Sequence, residues 1–173
     1  DLPQVPGLSV SERFIPGSEG APDVRVLVYL PTSVQGAVPA LLWIHGGGYI
    51  MGSPDAEDLT VKSIVSALGC AAVSVDYRLA PETPYPGPVE DCYAALKWLA
   101  THADELGIDP DRIAAGGSSA GGGLAAALAL LARDRGEVSL AFQFLLAPML
   151  DDRTGTLAKP HPYTGEFIWA PEA

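Results

Sequence analysis

Arg112-Ile113-Ala114-Ala115-Gly116-Gly117-Ser118-Ser119-Ala120-Gly121-Gly122 decides how the rest of the chain is read. A short apolar run, Arg112–Ala115, reads as a buried strand, and the Ala/Leu segment that continues to about Arg135 reads as a helix with Leu124, Leu128 and Leu131 on its sheet-facing side. Between them Gly117-Ser118-Ser119-Ala120-Gly121 has the form G-x-S-x-G at a strand-to-helix turn, the setting a nucleophile elbow requires. Glycine is needed at 117 and 121 because a strained turn pushes the Ser119 hydroxyl outward, and a side chain at either flank would strike the neighbouring strand or helix. Ser119, not Ser118, is then the candidate nucleophile. The helix N-terminus aims backbone N–H groups, that of Ala120 among them, at any developing oxyanion.

Other readings of the same run are a small-residue turn that only lets helix pack on strand, or a phosphate cradle. A P-loop needs a Lys after the glycines, and there is none. The dinucleotide fingerprint fails as well, because Ser118 stands where its second glycine belongs.

Working outward, β-branched apolar runs alternate with segments of helical period, the pattern of a mostly parallel sheet with helices on both faces. The strand candidates are Leu8–Phe14, Val24–Leu30, Ala40–Ile44, Ala71–Val75, Arg112–Ala115 and Leu140–Leu146. Between the third and fourth, Ser53 caps a helix with Pro54 at its first position, Val61, Ile64, Val65 and Leu68 supply the buried face, and Gly69 ends it. The next helix carries Val89, Cys92, Tyr93, Leu96, Leu99, Ala100 and Ala103 along one side and stops at Gly107. The Pro-rich connection 80–88 reads as a stiff surface excursion.

The 173 residues, 48% of them apolar, suffice for one domain with a sizeable core but hardly two. Ten Lys and Arg against 21 Asp and Glu give a net charge of −11, which argues against nucleic acid or an anionic membrane surface as partner. The longest apolar runs, such as Leu124–Ala132, fall short of a membrane span, and the N-terminal stretch has no signal-peptide pattern. A soluble chain is expected, its compartment open and the cytoplasm favoured. Cys70 and Cys92 read as buried thiols, since one lone pair makes no disulfide scaffold.

A second motif stands beside the elbow. Leu42-Trp43-Ile44-His45-Gly46-Gly47-Gly48-Tyr49 runs a strand directly into three glycines, which let the backbone approach a ligand and aim N–H groups at it, as an oxyanion hole demands. Alone it could be a flexible turn with a structural histidine. Paired in this order with G-x-S-x-G, it matches the arrangement of lipases and esterases.

On His45-Gly46-Gly47-Gly48-Tyr49, Asp76-Tyr77-Arg78-Leu79-Ala80-Pro81-Glu82 and Gly117-Ser118-Ser119-Ala120-Gly121-Gly122, the chain resembles the hormone-sensitive-lipase-like branch of the α/β-hydrolases, bacterial esterases and lipases. Val89–Trp98 and Gln143–Arg153 extend the likeness over nearly the whole chain. One departure is Ser118, where members often carry Asp. The resemblance implies an α/β-hydrolase fold and hydrolysis of short-to-medium acyl esters without metal or cofactor. Ser119 would attack the carbonyl while the amides of Gly46, Gly47 and Ala120 hold the oxyanion. His45, Gly48, Gly117 and Gly121 would shape the two motifs. Tyr49, with Ile50 and Met51, would line the pocket, and Arg78 and Glu82 are candidate ion-pair members bracing the sheet.

The fold requires an acid and then a histidine after the serine. Only His161 follows Ser119, with Asp151 and Asp152 between them. The flanking Pro160 and Pro162 make His161 a surface-loop residue, and His102 precedes the nucleophile on a helix. The chain is therefore expected to be the N-terminal part of a catalytic domain, with cap, acid and base outside it. Without further strands Leu140–Leu146 would be an exposed apolar edge, so a second polypeptide segment or self-association is expected to cover it. The alternative is a non-catalytic binding or interaction module, or an inactive fragment, on the same fold.

Overall fold

The computed structural model describes residues 5–151. Asp152 and His161, which follow Ser119 in the sequence, lie outside the described residues. All six predicted strands form, as β1 (Leu8–Ile15), β2 (Val24–Pro31), β3 (Val38–Ile44), β4 (Ala71–Asp76), β5 (Ile108–Ser118) and β6 (Phe142–Leu146). The helices are α1 (Asp58–Leu68), α2 (Gly87–Thr101), α3 (Ala103–Leu106) and α4 (Ala120–Arg135).

Local signals account for most boundaries. Ser53 Oγ accepts the Ala56 N–H, and Pro54 opens a 3₁₀ turn, Pro54–Glu57, ahead of α1. Gly69, Gly107 and Gly136 end α1, α3 and α4 in the left-handed conformation. The helix expected to run unbroken to Gly107 is instead interrupted at His102. There the Thr101 hydroxyl bonds the Lys97 and Trp98 carbonyls, and His102 Nδ1 lies 2.9 Å from the Trp98 carbonyl. These side chains compete with the helical ladder for its acceptors.

The strand order is β1-β2-β4-β3-β5-β6. The β3–β4, β3–β5 and β5–β6 pairings are parallel, whereas β1–β2 and β2–β4 are antiparallel. Strand residues alternate between two apolar layers, as period-2 geometry dictates. Val26, Val28, Leu42 and Ile44 face α2, α3 and α4, whereas Leu27, Tyr29, Leu41 and Trp43 face α1. Helices thus cover both faces, as predicted.

The α1 face differs from its sequence reading in two ways. Buried beside Val61 and Val65 are Asp58 and Lys62, joined by a 2.7 Å ion pair, with the Tyr29 hydroxyl donating to the same carboxylate at 3.2 Å. Burying two charges gains little net stability, while the Tyr29 bond to Asp58 ties the start of α1 to β2. Leu68, expected in the core, is 72% exposed among the described residues, where it lines an apolar groove. That groove, roughly 800 Å³, lies between α1 and β6 and is also lined by Leu41, Ile64, Ala114, Phe142 and Phe144. β6 pairs only with β5 among the described residues, and Phe142, Phe144 and Leu146 are exposed along it.

Candidate active site

Parallel pairing of β3 with β5 sets the site. Its register places Trp43 opposite Gly116 and Ile44 opposite Gly117, so the glycine loop after β3 and the elbow after β5 leave the sheet side by side. The chain enters β4 through α1 on one face and β5 through α2 on the other. The crevice therefore lies at a switch point outside the carboxyl ends of the strands, where open α/β sheets bind ligands.

Ser119 occupies the tight turn. Its φ of 52° and ψ of −116° are unfavourable for a residue with a Cβ, a strain of about 1–3 kcal/mol that the surroundings must hold. They do so by three bonds: Ser119 N–H donates to the Leu146 carbonyl at 2.8 Å, and the Ser119 carbonyl accepts the Gly123 and Met149 N–H groups, each at 3.1 Å. The flanking glycines are enforced sterically. A Cβ on Gly117 would stand 2.5 Å from the Ile44 carbonyl oxygen, and one on Gly121 would stand 2.0 Å from the same atom. The half-buried Ser119 hydroxyl makes no hydrogen bond among the described residues. Ala120 opens α4, so its N–H has no carbonyl partner inside the helix.

On the other side of the crevice, Gly47 and Gly48 take φ of 123° and 61°, values that favour glycine. A Cβ on Gly47 would meet the Met51 carbonyl oxygen at 1.9 Å. His45 shapes this loop. It is buried and stacked on Tyr77 with ring centroids 4.3 Å apart, and its Nδ1 lies 2.7 Å from the Gly46 carbonyl, while the Tyr77 hydroxyl donates to the His45 carbonyl at 3.0 Å.

One expected oxyanion donor needs correction. The Gly46 N–H donates to Glu57 Oε1 at 2.9 Å, so it is spent inside the scaffold and does not face a substrate. The amides of Gly47 and Gly48 have no hydrogen-bond partner among the described residues.

A family model for the α/β hydrolase fold matches residues 41–172, which contain both motifs. The chain belongs to the α/β-hydrolase fold family. Among its relatives, carboxylesterase NlhH of Mycobacterium tuberculosis is 44% identical over 144 residues, 83% of this chain and 45% of that protein. Esterase LipI of the same species is 42% identical over 153 residues, 86% of this chain and 47% of LipI. Of the solved structures, a bacterial heroin esterase superposes with a TM-score of 0.84 at 54% identity, over 86% of this chain and 47% of its own. The thermostable carboxylesterase EstE1 superposes with a TM-score of 0.80 at 44% identity, over 86% and 49%. The chain spans about half the length of the relatives it matches.

Neither described histidine of this hydrolase-fold chain is placed to act as a base on Ser119. His45 is committed to the loop, and His102 stacks on Trp98 at the end of α2. Arg78 does form an ion pair, with Asp91. Its guanidinium grips the fully buried Asp91 carboxylate at 2.8 and 2.7 Å, and its backbone N–H adds a third bond. Glu82 is exposed. Tyr49 sits in the left-handed region at φ 68°, and its hydroxyl lies 3.4 Å from the Met149 carbonyl and against α4, where a Cβ on Gly123 would stand 2.6 Å from it. Burial raises the Cys70 and Cys92 thiols, which keeps both as unreactive packing groups. No helix among the described residues is long and apolar enough to cross a membrane.

Desolvation pushes the His45 pKa below its ordinary 6.5, against the opposing pull of the Gly46 carbonyl, Asp76 and Glu57. The neutral ring therefore favours the folded state. Stability is full above about pH 6.5 and falls below it, because the unfolded chain takes up the proton first, by at most ~1.4 kcal/mol per pH unit. His45→Asn keeps an N–H donor but cannot titrate. Between pH 8 and pH 5 the wild-type melting temperature should fall further than that of the variant; parallel curves would remove His45 as the cause.

Proposed function

We propose that the complete protein hydrolyses carboxylic esters of short-to-medium acyl chain through an acyl-enzyme on Ser119, this chain forming the N-terminal part of the catalytic domain. The observation that carries this reading is the strained turn that holds a serine hydroxyl beside backbone amides, none of them hydrogen-bonded among the described residues. Ser119 Oγ attacks the ester carbonyl carbon and loses its proton to a base. The carbonyl oxygen becomes an oxyanion, held by N–H groups of Gly47, Gly48 and Ala120. Collapse expels the alcohol, which takes the proton back from the base, and water repeats the sequence on the acyl-enzyme to release the acid. Tyr49 lines the pocket. The relatives named carboxylesterase and esterase support the reaction class.

Acid and base come from outside the described residues, and the same additional polypeptide covers the β6 edge and fills the apolar groove beside it. An open edge bearing Phe142, Phe144 and Leu146 would otherwise pair with other chains. Association with a second copy is the other way to cover it. One experiment reads both points: a native mass spectrum of the protein as its cell makes it, after exposure to a serine-directed fluorophosphonate. Oγ displaces fluoride from phosphorus, so the expected result is one phosphonyl adduct mapping to Ser119 on a longer, paired or self-associated polypeptide. An unlabelled monomer of 173 residues would overturn both statements.

A further inference from the structure

Glu57 belongs to neither motif, yet its carboxylate touches both. Oε1 accepts the Gly46 N–H at 2.9 Å and the Ser118 hydroxyl at 2.6 Å, and Oε2 accepts the Trp43 indole N–H at 2.6 Å. One oxygen atom therefore joins the first residue of the glycine loop to the residue preceding the nucleophile, and its twin ties the same side chain to the end of β3. The two segments are already close: a Cβ on Gly46 would stand 2.9 Å from Ser118 Oγ.

Glu57 is itself held. It ends the 3₁₀ turn capped by Ser53, and Asp55 in that turn receives two bonds from the Arg25 guanidinium at 2.7 and 3.0 Å. Arg25 also bonds Asp76 at the end of β4, and those bonds hold the Asp55 carboxyl below its usual range. The turn is thus pinned to β2 and β4 before Glu57 reaches the crevice.

We infer that Glu57 is a positioning residue that sets the spacing between the two halves of the oxyanion hole. This deepens the reading of Ser119 as an ester-hydrolysing nucleophile and rests on it. The hole needs Gly47 and Gly48 from one segment and Ala120 from the other. A donor displaced by about 1 Å loses much of its value in the transition state, up to about 10²-fold in rate. By taking up the Gly46 N–H, Glu57 fixes the orientation of the peptide unit that enters the loop. By accepting from Ser118, it fixes the entry to the elbow. Ser118 supplies the hydroxyl donor that this arrangement requires, and a carboxylate there would face Glu57 as a like charge.

That last point gives the test, made on the complete enzyme with a chromogenic short-chain ester at pH 8. Glu57→Gln keeps one acceptor oxygen but sets an NH2 group against the Trp43 indole or the loop, and kcat should fall about tenfold with KM within about threefold. Ser118→Asp should lower kcat by about 10²-fold, because two carboxylates at hydrogen-bond distance push loop and elbow apart. Combining the two should recover part of the Ser118→Asp loss, since the Gln amide can donate to the new carboxylate, although the same NH2 then faces the Gly46 N–H. Ser118→Ala, which removes only the hydroxyl, should lower kcat about fivefold with KM within about threefold. Additive losses in the double variant, or wild-type kcat in Ser118→Asp, would overturn the proposal. Ser119→Ala in the same series separates the two ideas: if it retains turnover, the nucleophile is misassigned, whereas if it is inactive while Ser118→Asp is not, Glu57 alone is misjudged.

Discussion

Ser119→Ala is expected to reduce ester turnover by the complete enzyme about 10⁵-fold, while an unreactive ester analogue binds within a few-fold of its wild-type affinity. The size of the loss follows from what the hydroxyl does. It is the atom that forms the covalent bond, so without it the acyl-enzyme route is closed and only direct attack by water remains. The amides of Gly47, Gly48 and Ala120 would still stabilise an oxyanion, which leaves a residual acceleration of about 10³-fold over the uncatalysed reaction. Little structural damage should accompany the change. The Ser119 hydroxyl makes no hydrogen bond among the described residues, and alanine meets the same φ of 52° as serine does. The bonds that hold the turn are backbone bonds to Leu146, Gly123 and Met149, which survive the substitution. Steady-state rates on a chromogenic ester, with calorimetric titration of the analogue, read the two quantities separately. Turnover within tenfold of wild type would place the nucleophile elsewhere.

The elements that carry the site were legible because their signals are local. A strand ending in Gly117, a serine, and a helix opening at Ala120 need only short-range periodicity and glycine's steric freedom, and the glycine run after Ile44 announces itself in the same way. The parallel direction of the strands follows from the alternation of strands and helices, whereas the adjacency of β3 and β5, which brings these motifs together, appears only in the sheet order. What escaped the sequence reading is the chemistry that depends on contacts across the chain. Glu57 reads as an ordinary acidic residue in a helix's first turn until Trp43, Gly46 and Ser118 converge on it. The Gly46 amide looked like an oxyanion donor for the same reason, since a glycine's position in a motif does not reveal which way its N–H points. Leu68 fits the apolar stripe of α1, and its 72% exposure among the described residues comes from its place on the groove between α1 and β6, which the stripe does not reveal.

Gly121→Ala tests the packing on which all of this depends, and it is expected to destabilise the protein by about 3 kcal/mol or more. The added methyl would stand 2.0 Å from the Ile44 carbonyl oxygen and 2.4 Å from that of His45. Both are backbone atoms at the end of the central strand, so no side chain can rotate out of the way. The first turn of α4 must instead retreat from β3. That movement pulls Ala120 away from Gly47 and Gly48 and strains the Ser119 turn at the same time. A matched control is Gly136→Ala at the other end of the same helix. Nothing lies within 4 Å of a Cβ there, so only the left-handed φ of 67° is penalised, at about 1 kcal/mol. Thermal denaturation should therefore separate the pair clearly, with a loss on the order of 10 °C for Gly121→Ala and about 3 °C for Gly136→Ala. Any Gly121→Ala protein that remains folded should also have lost most of its turnover, because the helix that supplies the Ala120 donor has moved. Equal melting temperatures for the two variants would mean that α4 does not press on β3, and the oxyanion hole could not then be built from these two segments.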